Sequence, residues 1–296
     1  MTGIRTYGFL VLALALMAPG ASGESGAVVV KPVANMYSAP SEDADVVSQA
    51  IFGASLALVE EKGAWARVRT ADDYSGWMLL SALGRYGADD HAYASTGTVA
   101  QVESPFANVY REPDVTKHQP VLTLPFAARL EVAAGPDNGP QNGGGRWLEV
   151  RLPDALSAWI QRGDVNLYPR PLSVKETIEI AKRFLGFTYL WGGTSSFGFD
   201  CSGFTQMLVG QRGIVMPRDA DLQAAWVGVV PVKRSKLRAG DLLFFGESPQ
   251  KITHTGMFIG HGKFIHDTTH GHPGVQISRL AEEPWTHLLV ASRRLK

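Results

Sequence analysis

The sequence predicts two small all-β units followed by one α+β domain. Three observations carry this. A pattern of tryptophans and turn residues occurs twice in the first 168 residues with equal spacing. Neither copy contains a long helical period. After Gly240 the apolar pattern changes from helical to strand-like, so helices precede an antiparallel sheet. The 296 residues suffice for two or three domains. Apolar content of 45% and charged content of 19% are ordinary for globular protein. The formal net charge is zero and no basic stripe runs along the chain, which argues against nucleic acid and against an electrostatic membrane anchor.

Residues 1–23 read as a secretory signal. Arg5 supplies the positive start, Phe9 to Met17 a short apolar core, and Pro19 ends it. Ala21-Ser22-Gly23 is a small-residue cleavage site, cutting before Glu24. The apolar run is too short to span a bilayer, so no stable membrane anchor is expected after cleavage. No Cys follows that run to carry a lipid. The expected location is outside the cytoplasm, periplasmic or extracellular. There a lone Cys cannot close an internal disulfide and is either buried or used.

The repeats span residues 27–85 and 96–168. The first holds Ala34-Asn-Met-Tyr37-Ser-Ala-Pro40 and the second Ala107-Asn-Val-Tyr110-Arg-Glu-Pro113. Strand signals follow at Ser55 to Val59 and Ala128 to Val132. Then come Trp65-Ala-Arg-Val-Arg69 and Trp147-Leu-Glu-Val-Arg151, with Trp77 and Trp159 each twelve residues after the first tryptophan. Equal spacing marks a duplicated module, and short alternating strands with turn-rich links predict a small barrel. The order Asn-x-Tyr-x-x-Pro, Trp-x-x-Val and Gly-Trp-Met resembles the bacterial SH3 family. Gly135 to Gly145 reads as a flexible insertion in the second copy. Repeated position predicts that the four tryptophans are core residues of the two barrels with shared packing. Tyr74 is different: it sits in an Asp-Asp-Tyr-Ser turn and is matched by Leu156 in the second copy. An aromatic peculiar to one copy is the better candidate for a specific contact. Glu42 and Asp43 are the nearby acidic candidates, though such residues are commonly only solvated.

After the linker Leu167 to Pro171, the third domain covers residues 172–296. Ser173-Val-Lys-Glu176 is a capping box, and Val174, Ile178, Ala181 and Leu185 share a helical face ended by Gly186. A second helix opens at Cys201, with Phe204, Met207, Leu208 and Gln211 at helical spacing. A third begins at Pro217-Arg-Asp219. Strands are predicted at 241–245, 255–259, 263–267, 275–280 and 288–293. A helix-borne Cys packed on a sheet that presents His is the layout of papain-like thiol hydrolases.

Cys201 is the only cysteine. A Gly-rich approach leads to it, and a helix N-terminus lowers a thiol pKa. Buried hydrophobe is the ordinary fate of a lone Cys, so its context decides. His254 and His266 lie on consecutive predicted strands. In a plain two-residue hairpin at His261-Gly262, residue 254 pairs with 269, and the two histidines face opposite sides of the sheet. One bulge puts them on one side, and Gly256, Gly260 and Gly262 are available to make it. His261, His270 and His272 bring the local count to five His in nineteen residues. With one Cys and no ligand spacing among them, no metal site is predicted.

Taken together, Tyr189-x-Trp191-Gly-Gly, Asp200-Cys201-Ser202-Gly203-Phe204, Gly240-Asp-Leu, His254-Thr-Gly256 and Ile265-His266 resemble the NlpC/P60 family of cell-wall cysteine peptidases. The family's usual His-Val-Gly is here His254-Thr255-Gly256. With a signal and two SH3-like modules in front, the order resembles the gamma-D-glutamyl-L-diamino-acid endopeptidases of that family. The resemblance implies a catalytic Cys201, a base His254 and an orienting His266, with no cofactor. It implies a murein peptide substrate with a free amino terminus, for which Asp219 matches an acidic position; otherwise Asp219 is simply an N-cap. Tyr189 and Trp191 are expected to line the cleft, Asp200 and Ser202 to bind substrate amide or carboxylate groups, and Tyr74 and Glu42 to close the cleft from the first barrel. A monomer is expected. Two other readings stay open on sequence: a non-catalytic wall-binding protein, and acyl transfer through a thioester.

Overall fold

The structure, a computed structural model, describes residues 26–86, 91–133 and 145–296. The signal segment 1–23 and all but Gly145 of the insertion lie outside the described residues. No helix among the described residues is long and apolar enough to cross a membrane.

The first sheet contains β1 (Gly26–Val29), β2 (Val33–Tyr37), β3 (Val46–Ile51), β4 (Ser55–Lys62), β5 (Trp65–Arg69), β6 (Ser75–Leu79) and β7 (Leu83–Tyr86). The second contains β8 (Val99–Val102), β9 (Phe106–Tyr110), β10 (Leu122–Pro125), β11 (Arg129–Val132), β12 (Trp147–Arg151), β13 (Ser157–Gln161) and β14 (Val165–Asn166). Strand order is β3-β2-β6-β5-β4-β1-β7 in one and β10-β9-β13-β12-β11-β8-β14 in the other. Strand for strand the order is the same, so the repeated sequence pattern encodes a repeated topology.

The tryptophans do not form the barrel cores. Alternation along β5 points Ala66 and Val68 inward and leaves Trp65 half-buried on the outer face. There Trp65 meets Tyr37 edge to face at 5.4 Å, and Trp147 meets Tyr110 in the same way. Smaller residues fill the cores, among them Met36, Val68 and Met78 in the first and Val109, Leu130 and Ile160 in the second. Phe52 of the first barrel is buried in the second barrel's cluster, against Tyr93. The barrels therefore share apolar surface.

The third domain runs α1 (Val174–Arg183), β15 (Thr194–Ser195), β16 (Gly198–Phe199), α2 (Cys201–Gly210), α3 (Ala220–Ala225), β17 (Val229–Pro231), β18 (Leu242–Ser248), β19 (Lys251–Gly260), β20 (Lys263–Thr268), β21 (Gly274–Arg279), α4 (Trp285–Leu288) and β22 (Leu289–Leu295). Its antiparallel sheet has the order β17-β22-β18-β19-β20-β21. Ser173 and Glu176 form the capping box of α1. One face of the sheet, including Phe244, Met257 and Ile265, packs on α1 and α2. The other carries Phe245, Phe258, Phe264 and Trp285.

Phe184 joins this core to the second barrel. Fully buried, it meets Phe126 of that barrel and Phe187, Phe199 and Phe204 of its own domain, with ring centroids 5.2 to 6.3 Å apart. Phe184→Ala should cost about 3–5 kcal/mol of stability. Denaturant unfolding would measure it, and a loss below about 1 kcal/mol would show that the cluster closes over the gap.

Candidate active site

The approach to Cys201 is a tight loop that only glycine permits. Gly192 has φ +75°, and a Cβ there would lie 2.8 Å from Val46 of β3. A Cβ on Gly193 would meet the Gly198 carbonyl oxygen at 2.3 Å, and one on Gly203 the Gly193 carbonyl oxygen at 2.1 Å. Asp200 then caps α2, its Oδ1 accepting the Gly203 N–H at 2.7 Å. Oδ1 also accepts from Ser202 Oγ, and Oδ2 accepts the Gly192 N–H at 3.0 Å.

Both Asp200 oxygens also receive the guanidinium of Arg218, at 3.0 and 2.6 Å. The Arg218 side chain is 2% exposed. It donates further to Ser202 Oγ at 2.7 Å and, from Nε, to Ser48 Oγ of β3 at 3.1 Å. Beside this contact Gln49 of β3 accepts the Thr194 N–H and, at its own carbonyl, the Thr194 hydroxyl. The first barrel is thus bonded directly to the loop that presents the nucleophile. Asp200 and Ser202, expected to bind substrate, are buried and taken up by these bonds, so their visible work is to hold the loop.

The two histidines share one face of the sheet, and a bulge puts them there. His261 and Gly262, both with positive φ, form the two-residue turn closed by the Gly260–Lys263 pair. In an uninterrupted ladder Met257 would face His266; it faces Ile265, because one extra residue is inserted between Phe258 and Gly260. His254 Nε2 then lies 2.7 Å from His266 Nδ1, and His266 Nε2 3.0 Å from Ser278 Oγ on β21. Gly256 makes room for this, since a Cβ there would fall 2.8 Å from the His266 Cβ. Trp285 stacks on His254 and meets His266 edge-on. Burial pulls the His254 pKa down to about 4. Burial, then the neighbouring His254 and His270, hold that of His266 well below the ordinary imidazole value.

α2 packs against β19 and β20, and the N–H of Thr255, next to His254, points at the Cys201 thiol. The thiol pKa is not lowered as the helix N-terminus suggested. Burial, then the charge of Asp200, push it up to about 12, against the opposing pull of the Thr255 N–H, Arg218 and the Ser202 N–H. Desolvation outweighs the helix end because the thiol is nearly sealed from water. Both thiol and imidazole are therefore neutral.

A cleft of about 700 Å³ opens beside Cys201. Tyr189, Trp191, Asp200, Cys201, Ser202 and Asp219 line it, together with Asp45, Val46 and Tyr74 of the first barrel. Trp191 stands 71% exposed at its mouth. Asp219 occupies the N-cap position of α3, yet its side chain makes no cap hydrogen bond. It lies instead beside the Tyr74 hydroxyl, whose pKa rises to about 12 through burial and then the Asp219 charge. Burial likewise raises the Asp219 pKa. Glu42 is the exception among the expected lining residues: it is exposed and outside the cleft, and Asp45 from the same turn lines it instead.

Arg218, Ser48 and Ser278 were not singled out from sequence. For Arg218 the available signal was a cation set directly before Asp219 at a helix start; Ser48 and Ser278 carry none, because their partners are 170 and 12 residues away. Arg218→Met should lower stability by about 3–5 kcal/mol, since it strands the buried Asp200 charge. The double variant with Asp200→Asn should recover part of that loss. Thermal unfolding of the three variants checks this, and equal losses in the single and double variants would refute it.

Comparison with known proteins follows this geometry. The NlpC/P60 family model matches residues 186–294, and the bacterial dipeptidyl-peptidase SH3 domain matches residues 36–83. The chain is 31% identical to the gamma-D-glutamyl-L-lysine dipeptidyl-peptidase of Bacillus subtilis, over 84% of this chain and 81% of the relative. It is 32% identical to the protein of the same name in Bacillus cereus, over 74% of this chain and 66% of that relative's length. The crystal structure of an NlpC/P60 family protein from Bacillus cereus superposes with a TM-score of 0.77 at 26% identity, covering 92% of this chain and 99% of the other. With a cysteine-bearing helix, a histidine-bearing sheet and an SH3 domain closing the cleft, this chain belongs to the NlpC/P60 family and is a cysteine peptidase.

Proposed function

We propose that the protein hydrolyses the bond between gamma-D-glutamate and an L-diamino acid in murein peptides, and that it requires a free N-terminal L-Ala. One observation carries the reading: Tyr74 of the first barrel stands beside Asp219 in the wall of the cleft. Asp45, Asp219 and Asp221 line this cleft beside the Arg218-paired Asp200, and among the described residues no Lys or Arg lines it. A negative, partly desolvated cleft favours an ammonium group. The names of the two Bacillus relatives support the same bond. Action outside the cytoplasm, in wall turnover or recycling, follows from the signal read in the sequence.

In this mechanism Cys201 is the nucleophile, and its proton passes to His254 Nδ1 as sulfur attacks the carbonyl carbon. Nδ1 is the free nitrogen, because Nε2 is engaged by His266. That assigns the tautomer: His254 Nε2–H donates to His266 Nδ1, and His266 Nε2–H donates to Ser278 Oγ. His266 is the orienting residue and Ser278 its support. The N–H of Cys201, unpaired within the first turn of α2, faces the developing oxyanion. The imidazolium of His254 then protonates the leaving amine. Water attacks the resulting thioester with His254 as base, releasing the acid and the thiol.

The test is mass spectrometry of L-Ala-gamma-D-Glu-diaminopimelate, free and N-acylated, with wild type and Cys201→Ala. Cleavage of the free peptide alone, lost in the variant, is expected. Equal cleavage of both peptides would remove Tyr74 and Asp219 from amine recognition. No cleavage of either would favour a wall-binding protein.

A second prediction separates the two supports. His266→Ala should lower kcat by about 10²–10⁴-fold. Ser278→Ala should lower it about tenfold or less, the equivalent of one hydrogen bond, with KM unchanged. Equal losses would mean that Ser278 does more than hold the ring.

A further inference from the structure

Asp267 is a buried acid that the mechanism leaves unused. It follows His266 on β20, so alternation turns it to the opposite face, that of Ile265 and α2. It is 0% exposed, and among the described residues no side chain hydrogen-bonds its carboxyl oxygens, which feel only the pull of the adjacent Thr268 N–H. Thr255 Oγ1 is buried and unpartnered as well. The β19–β20 ladder pairs Met257 with Ile265 and extends no further, so Thr255 and Asp267 lie two residues past its last pair, on the face of Met257 and Ile265. Thr255 is the residue whose N–H points at the Cys201 thiol. The charge of Asp267 is felt by Tyr189 in the cleft wall, and Asp267 feels the charge of Asp200 at the start of α2. Two buried polar side chains left on one face at the end of that ladder call for a physical account.

An ionised carboxylate without partners is costly to bury, so the neutral acid is the stable form. Burial, then the Asp200 charge, raise the Asp267 pKa to about 8, against the weaker pull of the Thr268 N–H. The groups around it are accounted for. Asp200 is paired with Arg218, the Cys201 pKa lies near 12 and that of Tyr189 is raised by burial. His254 and His266, on the other face, have lowered values. β21 offers Val275 opposite Asp267. Of these groups, Asp267 alone changes charge between pH 7 and 9.

We propose that Asp267 is a positioning residue that supports the nucleophile as an uncharged acid and suppresses it on ionising. It acts through Cys201 and touches neither substrate nor the reacting bond. Below its pKa the Asp267 carboxyl adds no charge to that of Asp200. Above it a second carboxylate joins Asp200, while attack builds negative charge first on sulfur and then on oxygen. The proposal rests on Cys201 being the nucleophile, but its test does not require peptidase activity.

Because Cys201 is the only cysteine, alkylation of the full chain by iodoacetamide reads this thiol alone. The thiolate displaces iodide and forms a thioether. Rates are compared from pH 6 to 10 for wild type and Asp267→Asn. In the variant the rate should climb about tenfold per pH unit, as the thiolate fraction does. In wild type the climb should flatten around pH 8, so the variant-to-wild-type ratio grows several-fold between pH 7 and 9. A constant ratio overturns the proposal. If Asp267→Asn does not fold, carboxyl carbon NMR of the wild type decides: a buried Asp titrating near 8 upholds the proposal, and all Asp titrating below about 5 overturns it. A pH-dependent ratio in a protein that cleaves no murein peptide would uphold this role and defeat the substrate reading.

Discussion

The site depends on one buried ion pair, Asp200 with Arg218. Asp200 is the N-cap of α2, so its side chain sets where the helix starts and where Cys201 points. A carboxylate in that place is desolvated, and Arg218 returns the lost stabilisation through two short bonds. Neither ion is left with an idle face: backbone N–H groups of Gly192 and Gly203 complete Asp200, and Ser48 and Ser202 complete Arg218. Such completion is the condition under which a buried pair is tolerated rather than disruptive.

The same pair explains why the first barrel is part of the site. Ser48 reaches Arg218, Gln49 holds Thr194, and Gln206 of α2 donates to Asp72. The second barrel contributes through Ser196, which donates to the Pro105 carbonyl and accepts the Phe126 N–H, and through the ring cluster at Phe184. The loop from Phe187 to Phe199 is thus fastened on both sides before it delivers the nucleophile. A cleft walled by two domains can distinguish the end of a peptide, whereas an open groove cannot.

Electrostatically the site is held neutral at Cys201 and His254 and is acidic along the cleft lining. Burial keeps the proton on sulfur and off His254, while the acidic lining stands a few residues away. In the proposed mechanism, proton transfer is then tied to attack on a bound carbonyl. The resting thiol is correspondingly protected from solvent electrophiles.

Much of this was legible in the chain. The duplicated Trp spacing, the capping box at Ser173, the glycines before Cys201 and the His-Thr-Gly stretch each express a local rule of backbone or periodicity, and local rules survive in sequence. Even the bulge between the histidine strands followed from parity, since side chains alternate with period two. The tryptophans were misjudged because periodicity marks a face without saying which face is inside. The thiol pKa was misjudged because a helix end acts locally, whereas desolvation is the work of everything packed around it. Arg218, Ser48, Asp45, Ser278 and the orphaned Asp267 were decided by tertiary structure alone. Each derives its role from a partner, or from the lack of one, on another element, and no spacing along the chain records which elements will meet.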